Sequence, residues 1–251
     1  MAASRNYVLT IAGLDPTNGA GLTADIKTFE QHQVYGLSVC TAITLQTEHQ
    51  FYTIRWEKIE DVITALKTIL ANYPVQIIKT GIMPTLDYLD AIVVFLHANY
   101  NHIKIIIDPI LKSSTGFNFL DQNNKTLFYK ILQNCYLITP NINEAQLITG
   151  QENELDAAKE IAKYCRVFLK GGHSQKYLGV DYLFANDSYT EFKPTHTDGK
   201  SKHGSGCILS AAIAANLCLG FSLQEACEKA KRYIETILQS NTTRLAYHHV
   251  S

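Results

Sequence analysis

The sequence predicts an α/β protein: one domain built on a mostly parallel central sheet with helices on both faces. Three observations carry this. Short strand-like runs alternate along the chain with stretches whose apolar residues recur at helical spacing. The strand-like runs are apolar throughout rather than alternating, which is the pattern of parallel strands covered on both faces. No Pro/Ser-rich linker, low-complexity tract or fixed-period repeat divides the 251 residues. At roughly 150 residues per domain the length allows one domain or two, and residues 1–251 are read as one. The strand order is not legible at this level.

The elements follow in order. Residues 8–12 form a strand that runs into a glycine-rich loop, after which Leu22, Ile26 and Phe29 mark a helix. Residues 38–45 are a β-rich run. Val62, Ile63, Leu66, Ile69 and Leu70 give residues 59–70 a period near 3.6. Strands are predicted at 75–79, 103–107, 135–139 and 167–169, and helices at 86–97, 126–132, 144–149 and 154–164. Residues 180–184 and 189–192 read as a β-hairpin, and residues 207–219 and 223–238 as helices.

Composition narrows the function. Hydrophobic residues at 46% and charged residues at 18% allow a large core and exclude whole-chain disorder. A net charge of -1, from 22 Lys+Arg against 23 Asp+Glu, leaves no positive field to draw nucleic acid or anionic lipid. The six cysteines are scattered with no CxxC pair, so metal knuckles and disulfide scaffolds are disfavoured. Apart from Cys207 they read as small buried hydrophobes in a reducing compartment. No apolar stretch reaches a membrane span and no secretory h-region is seen. A cytoplasmic protein is expected, with the glycosylation patterns at 124–126, 186–188 and 241–243 due to chance.

The polar residues sit where strands end. Residues 8–12 lead into Gly13-Leu14-Asp15-Pro16-Thr17-Asn18-Gly19-Ala20-Gly21, residues 75–79 into Thr80-Gly81, and residues 103–107 into Asp108-Pro109. Residues 135–139 lead into Pro140-Asn141-Ile142-Asn143-Glu144, and residues 167–169 into Lys170-Gly171-Gly172-His173. In a parallel sheet these ends share one edge, where open α/β folds bind ligands. Singly, each is an ordinary turn. Jointly they bring Asp108, Asn141, Glu144 and Lys170 to one crevice.

A second feature is Lys202-His203-Gly204-Ser205-Gly206-Cys207 ahead of an apolar helix. Small residues there leave backbone N–H groups bare at a helix N-terminus, an anion-binding nest suited to phosphoryl transfer. A tight turn for close packing explains the same residues without a ligand. A Walker A loop is rejected, because Pro194 stands where its first glycine must be before Gly199-Lys200-Ser201. A dinucleotide fingerprint is rejected too, because Leu209 replaces its third glycine. At the helix N-terminus Cys207 is a candidate for a lowered thiol pKa. Gln46 ends an apolar strand with an amide suited to a flat heterocycle bearing ring nitrogens and an amino group. His203 and His173 are read as structural or peripheral, and His248-His249 as exposed tail.

These segments, together with Ala24-Asp25-Ile26-Lys27-Thr28-Phe29 and Lys79-Thr80-Gly81, resemble the hydroxymethylpyrimidine/phosphomethylpyrimidine kinases of the ribokinase-like superfamily. The resemblance runs from about residue 8 to residue 237 in the family's order. It implies a ribokinase-like single domain and an ATP- and Mg²⁺-dependent kinase of thiamin biosynthesis with a small-molecule substrate. Such an enzyme phosphorylates 4-amino-5-hydroxymethyl-2-methylpyrimidine and then its monophosphate. By the same resemblance Gly204, Ser205 and Gly206 form the anion hole, Lys170 contacts nucleotide phosphates, and Asn141 and Glu144 organise phosphate and metal. Asp108 and Glu144 then reach Mg²⁺ through water. Gln46 reads the pyrimidine, with Gly13, Ala20, Asp25 and Ile82 around it. Cys207 stands where much of the superfamily has an aspartate base. A homodimer is also implied. Leu14, Thr17 and Asn18 depart from the usual opening, and Ile82 precedes Met83 where the family commonly packs Met on the pyrimidine. The alternatives are a pyridoxal kinase, against which Gln46 argues, and a silent binding protein, against which Lys170, Glu144 and Asp108 argue.

Overall fold

The computed structural model describes residues 5–110, 124–172, 174, 177–186, 188–195 and 201–249. His173, Asp187, Gly199 and Lys200 lie outside them. In chain order the elements are β1 (Tyr7–Leu14), α1 (Gly21–Gln31), β2 (Tyr35–Gln46), β3 (Phe51–Trp56), α2 (Ile59–Asn72), β4 (Ile77–Thr80), α3 (Leu86–Asn99) and β5 (Lys104–Ile107). There follow α4 (Lys125–Leu132), β6 (Leu137–Ile138), α5 (Ile142–Thr149), α6 (Glu154–Ala162) and β7 (Arg166–Leu169). The last are β8 (Asp181–Ala185), β9 (Ser188–Phe192), α7 (Ser205–Cys218) and α8 (Leu223–Leu238). The strands make one sheet in the order β3-β2-β1-β4-β5-β6-β7-β8-β9.

The run from β2 to β7 is parallel, and β3, β8 and β9 extend the two edges antiparallel. The central strands are apolar on both faces because both are covered. Leu9, Ile78, Ile105, Ile107, Ile138 and Val167 enter one core with helices α2 to α6. Their neighbours Val8, Ile77, Ile106, Leu137 and Phe168 enter the other with α1, α7 and α8. The α/β reading holds. β3 was not foreseen: it is a half-exposed edge strand paired only with β2, so it lacks the continuous apolar signature of the interior strands. Its clue was composition, since Phe, Tyr, Thr, Ile and Trp all favour strands.

The chain leaves β1 toward β2 and then returns to β1's other side at β4. This reversal is the topological switch point where such sheets open a crevice at their carboxyl ends. Helix α7 is apolar all round and buried over nearly its whole length, so its position is fixed by packing.

Candidate functional site

The crevice is built around Asp108, the residue after β5. Asp108 is fully buried. Its Oδ1 accepts from Lys170 Nζ at 2.8 Å, its Oδ2 accepts from Ser210 Oγ of α7 at 3.0 Å, and Lys79 Nζ stands 4.0 Å from Oδ2. Burial works to raise this carboxyl. The charges of Lys170 and Lys79, with the bonds from Lys170 and Ser210, overcome it and hold the group below the ordinary aspartate value. Burial likewise opposes the charged form of Lys170, but Asp108 and Glu144 beside it keep the ammonium protonated and raise its pKa.

Lys79 is the fourth link. It projects from β4 with no exposed surface, and its ammonium reaches both oxygens of Asp25 on α1, at 2.6 and 2.8 Å. Thr10 Oγ1 also donates to Asp25, at 2.6 Å. Burial pushes the Asp25 carboxyl up to about 6 against the pull of Lys79. The lysine is raised above its ordinary value by Asp25, Cys207 and Asp108, in spite of its burial.

At the end of β6 the chain turns into α5 through a reciprocal cap. Asn141 Oδ1 accepts from the Glu144 amide at 2.9 Å, and Glu144 Oε2 accepts from the Asn141 amide at 2.7 Å. This cap pairs with the strand carrying Lys170, whose amide donates to the Pro140 carbonyl at 2.8 Å. Glu144 is buried, and burial pushes its carboxyl up to about 7, with Lys170 opposing and Asp108 adding to the rise. Among the described residues no cluster of three metal-ligating side chains forms. The hard oxygens of Glu144 and Asp108 fit Mg²⁺, which keeps several waters and takes its remaining ligands from phosphates. A buried acid raised in this way is also one that a nearby cation would stabilise.

The N-terminus of α7 faces this group. Gly204 takes φ +73° as its N-cap; no side chain caps the helix and no acidic residue lies in its first turn. A Cβ on Gly204 would stand 2.1 Å from the Gly19 carbonyl oxygen, so only glycine lets this turn seat against the loop after β1. A Cβ on Gly206 would stand 3.3 Å from Lys170 Nζ, which places the turn directly beside the lysine. The Ser205 amide donates to the Lys202 carbonyl at 3.3 Å, while the turn of Gly204 and Gly206 lies beside the ammonium, an arrangement suited to anionic oxygens.

Cys207 follows in the first turn of α7, its sulfur beside the Gly21 backbone. The helix N-terminus does not lower its thiol as the sequence had suggested. Burial pushes it up to about 12, aided by Asp108 and Asp25 and against Lys79.

Gln46 ends β2 half-buried. Thr44 Oγ1 donates to the Leu14 carbonyl at 2.9 Å and accepts from Gln46 Nε2 at 3.0 Å. Because the hydroxyl has one proton, that bond to Leu14 fixes the amide with nitrogen toward Thr44. Ile82 packs with Ala42, Phe51, Ile54, Trp56 and Ile110 below this strand end, against Gly13. Met83 points into the opposite core, so Ile82 is the one on the crevice side.

The structure brings Gly204, Ser205, Gly206, Cys207, Lys170, Asp108, Asn141 and Glu144 together, and sets Gly13, Ala20, Gln46 and Ile82 along the adjoining part of the same edge. Asp25 lies behind the crevice wall: both its oxygens are taken by Lys79 and Thr10 and it has no exposed surface. His203 is structural but not peripheral, being buried against Asp15. His248 is buried between Thr28 and Tyr233, and only His249 is exposed. Lys79 and Ser210 were missed as site residues. Their signal was a charged or polar side chain within an otherwise apolar element.

Lysines fixed by a desolvated aspartate, with backbone amides opposite, are the donors that charge on a transferring phosphoryl group requires. The chain is a small-molecule kinase. It belongs to the phosphomethylpyrimidine kinase family, whose model matches residues 15–250. It is 35% identical over 247 residues to a hydroxymethylpyrimidine/phosphomethylpyrimidine kinase of Staphylococcus aureus (strain Mu50), covering 92% of this chain and 87% of that one. It is 34% identical over 243 residues to a thiamine biosynthesis bifunctional protein ThiED of Geobacter sulfurreducens, covering 94% of this chain; the match spans 49% of that longer relative. Among solved structures, a phosphomethylpyrimidine kinase from Clostridium difficile 630 superposes with TM-score 0.79 at 31% identity, covering 92% of this chain and 98% of that one. A pyridoxal kinase from Staphylococcus aureus in complex with AMP-PCP and pyridoxal superposes with TM-score 0.81 at 25% identity, covering 98% and 94%.

Proposed function

We propose that the chain transfers the γ-phosphoryl group of ATP to 4-amino-5-hydroxymethyl-2-methylpyrimidine, and a second group to the resulting monophosphate, giving the diphosphate for thiamin biosynthesis. The observation that carries this reading is the approach of Lys170 to Gly206 at the head of α7. The names borne by the relatives supply the substrate. In this reading the amides of Gly204 and Gly206, on either side of Ser205, donate to the phosphoryl oxygens, and Lys170 offsets their growing charge. Asp108 holds Lys170 in place through a 2.8 Å bond. Asn141 and Glu144 face the nucleotide. Gln46 presents its Oε1 and second N–H to the pyrimidine edge, with Gly13, Ala20 and Ile82 shaping the wall. Cys207 is a neutral thiol that positions the alcohol. A loose transition state needs little proton removal before transfer, so an ionised base is not required. Glu144 and Asp108 would hold Mg²⁺ through water, and the ion when bound neutralises charge on the phosphates.

Exposed Ile43, Leu45 and Tyr52 on the β2–β3 edge supply apolar surface for a homodimer, which light scattering tests. Six free cysteines suit a reducing cytoplasm, and among the described residues no helix is long and apolar enough to cross a membrane. The likeness to a pyridoxal kinase makes vitamin B6 the second substrate to try.

The deciding experiment is a panel of alcohols with Mg-ATP and mass-resolved products. Mono- and diphosphate of the hydroxymethylpyrimidine are expected. A clear preference for pyridoxal would overturn the substrate, and turnover of neither alcohol would favour a silent binding protein.

A further inference from the structure

Asp15 lies in the loop after β1 with 1% of its surface exposed. Its Oδ1 accepts from the Thr17 amide at 2.9 Å, and Thr17 Oγ1 reaches both of its oxygens. Its Oδ2 accepts from the Ala20 amide and from His203 Nε2, each at 2.9 Å. These bonds draw the carboxyl below its ordinary value in spite of burial. An ionised carboxylate only accepts, so Nε2 of His203 carries the proton. His203 is 4% exposed and immediately precedes Gly204, the N-cap of α7. One buried pair therefore joins the loop that shapes the alcohol side to the turn that binds the phosphate.

Two further contacts repeat the join. Gly204 seats on Gly19 and Ala20, and the Gly21 backbone lies beside Cys207 sulfur. From behind, the His203 amide donates to the Arg244 carbonyl at 2.9 Å, and Lys202 Nζ reaches Asn241 at 2.7 Å. The turn is held from both sides, by the loop in front and by residues 241–244 behind.

We propose that Asp15 and His203 are positioning residues forming a latch between the two halves of the site, so that each reactant strengthens binding of the other. The proposal rests on the phosphotransfer reading for which half holds which reactant. Reciprocal coupling follows when two sites share one ordered element. In-line transfer amplifies it, because a misplacement of about 1 Å costs on the order of a hundredfold in rate.

The test is calorimetric titration of a non-hydrolysable ATP analogue with and without 4-amino-5-hydroxymethyl-2-methylpyrimidine, beside steady-state kinetics. In the wild type the pyrimidine is expected to tighten analogue binding about fivefold or more. His203→Met removes the donor, and its coupling should fall to near unity. Its kcat should fall about ten- to a hundredfold while each binary affinity moves less than about threefold. His203→Gln, which keeps an N–H donor on a side chain of similar reach, should restore most of both. If His203→Met fails to fold, Asp15→Asn carries the same expectation, since its amide turns a donor toward donors. The latch is overturned if the wild type turns over the pyrimidine yet shows no coupling. It is equally overturned if a folded variant keeps the coupling, or loses binary affinity in step with kcat. A wild type that transfers phosphate to no pyrimidine would instead sink the functional reading beneath it.

Discussion

Replacing Cys207 by alanine separates two roles for a thiol beside the transferred group. With the thiol pushed up to about 12 by burial, the ionised fraction at pH 7.5 is about 3 in 100,000, from the one-decade-per-unit relation. General-base catalysis is worth about 10²–10⁴, so that fraction cancels the gain of a thiolate base. A bound triphosphate adds negative charge and raises the thiol further. What alanine removes is a small buried volume beside the Gly21 backbone, a loss of about 1 kcal/mol. The expected kcat is therefore within about tenfold of wild type, and kcat should be flat from pH 7 to 9.5 in both proteins. Rapid-quench kinetics over that range are the assay, because they isolate transfer from product release. A fall beyond about a thousandfold in Cys207→Ala, with a wild-type rate climbing tenfold per pH unit, would refute the reasoning and restore the thiolate base.

Other perturbations test other parts of the site. Gly204→Ala places a Cβ 2.1 Å from a backbone oxygen at φ +73°; it should cost about 3 kcal/mol or more and lower the melting temperature by roughly 6–12 °C. Lys79→Met strands buried Asp25 and should cost about 3–5 kcal/mol, whereas Lys79→Met with Asp25→Leu should recover most of it, as paired removal of buried charges does. Chemical denaturation compares the two. Thr44→Val frees the Gln46 amide to flip; KM for the aminopyrimidine should rise about tenfold with kcat little changed, and Thr44→Ser should restore it.

The fold was legible because it rests on features local to the sequence. A run such as Lys104–Ile107 can only be a strand covered on both faces, and Ser205–Cys218 only a buried helix. The edge position of Asp108, Asn141 and Lys170 followed from the parallel sheet alone. What escaped was long-range pairing. No local pattern says that Asp25 belongs to Lys79, 54 residues away, or Asp15 to His203, 188 residues away. For the same reason the state of the Cys207 thiol was not legible: the helix start is visible in sequence, but the desolvation that outweighs it is not. Thr47, whose amide bonds the Gln50 carbonyl, closes the hairpin into β3 without any Asn-Gly signal.

Charge accounting connects these pairs to the reaction. Asp25 is matched by Lys79 and Asp108 by Lys170, and Glu144 is the third carboxylate in the group. Burial, which Lys170 only partly opposes and Asp108 reinforces, is why its carboxyl sits at about 7 rather than 4.5. A folded-state value above the unfolded one means the unfolded chain releases its proton first. Stability from this group is complete below about pH 4.5 and is lost as pH rises toward 7, by up to about 3 kcal/mol. Glu144→Gln keeps the cap to Asn141 and should flatten that decline in melts taken between pH 5 and 8. Binding adds a second readout. If Glu144 seats the cation that accompanies the triphosphate, loading Mg-ATP at pH 7 should release about half a proton, the fraction still bound to a group of that pKa. Titrations in buffers of differing ionisation enthalpy measure it, and Glu144→Gln should abolish it. Equal proton release from both proteins would mean that the phosphates' cation is held elsewhere.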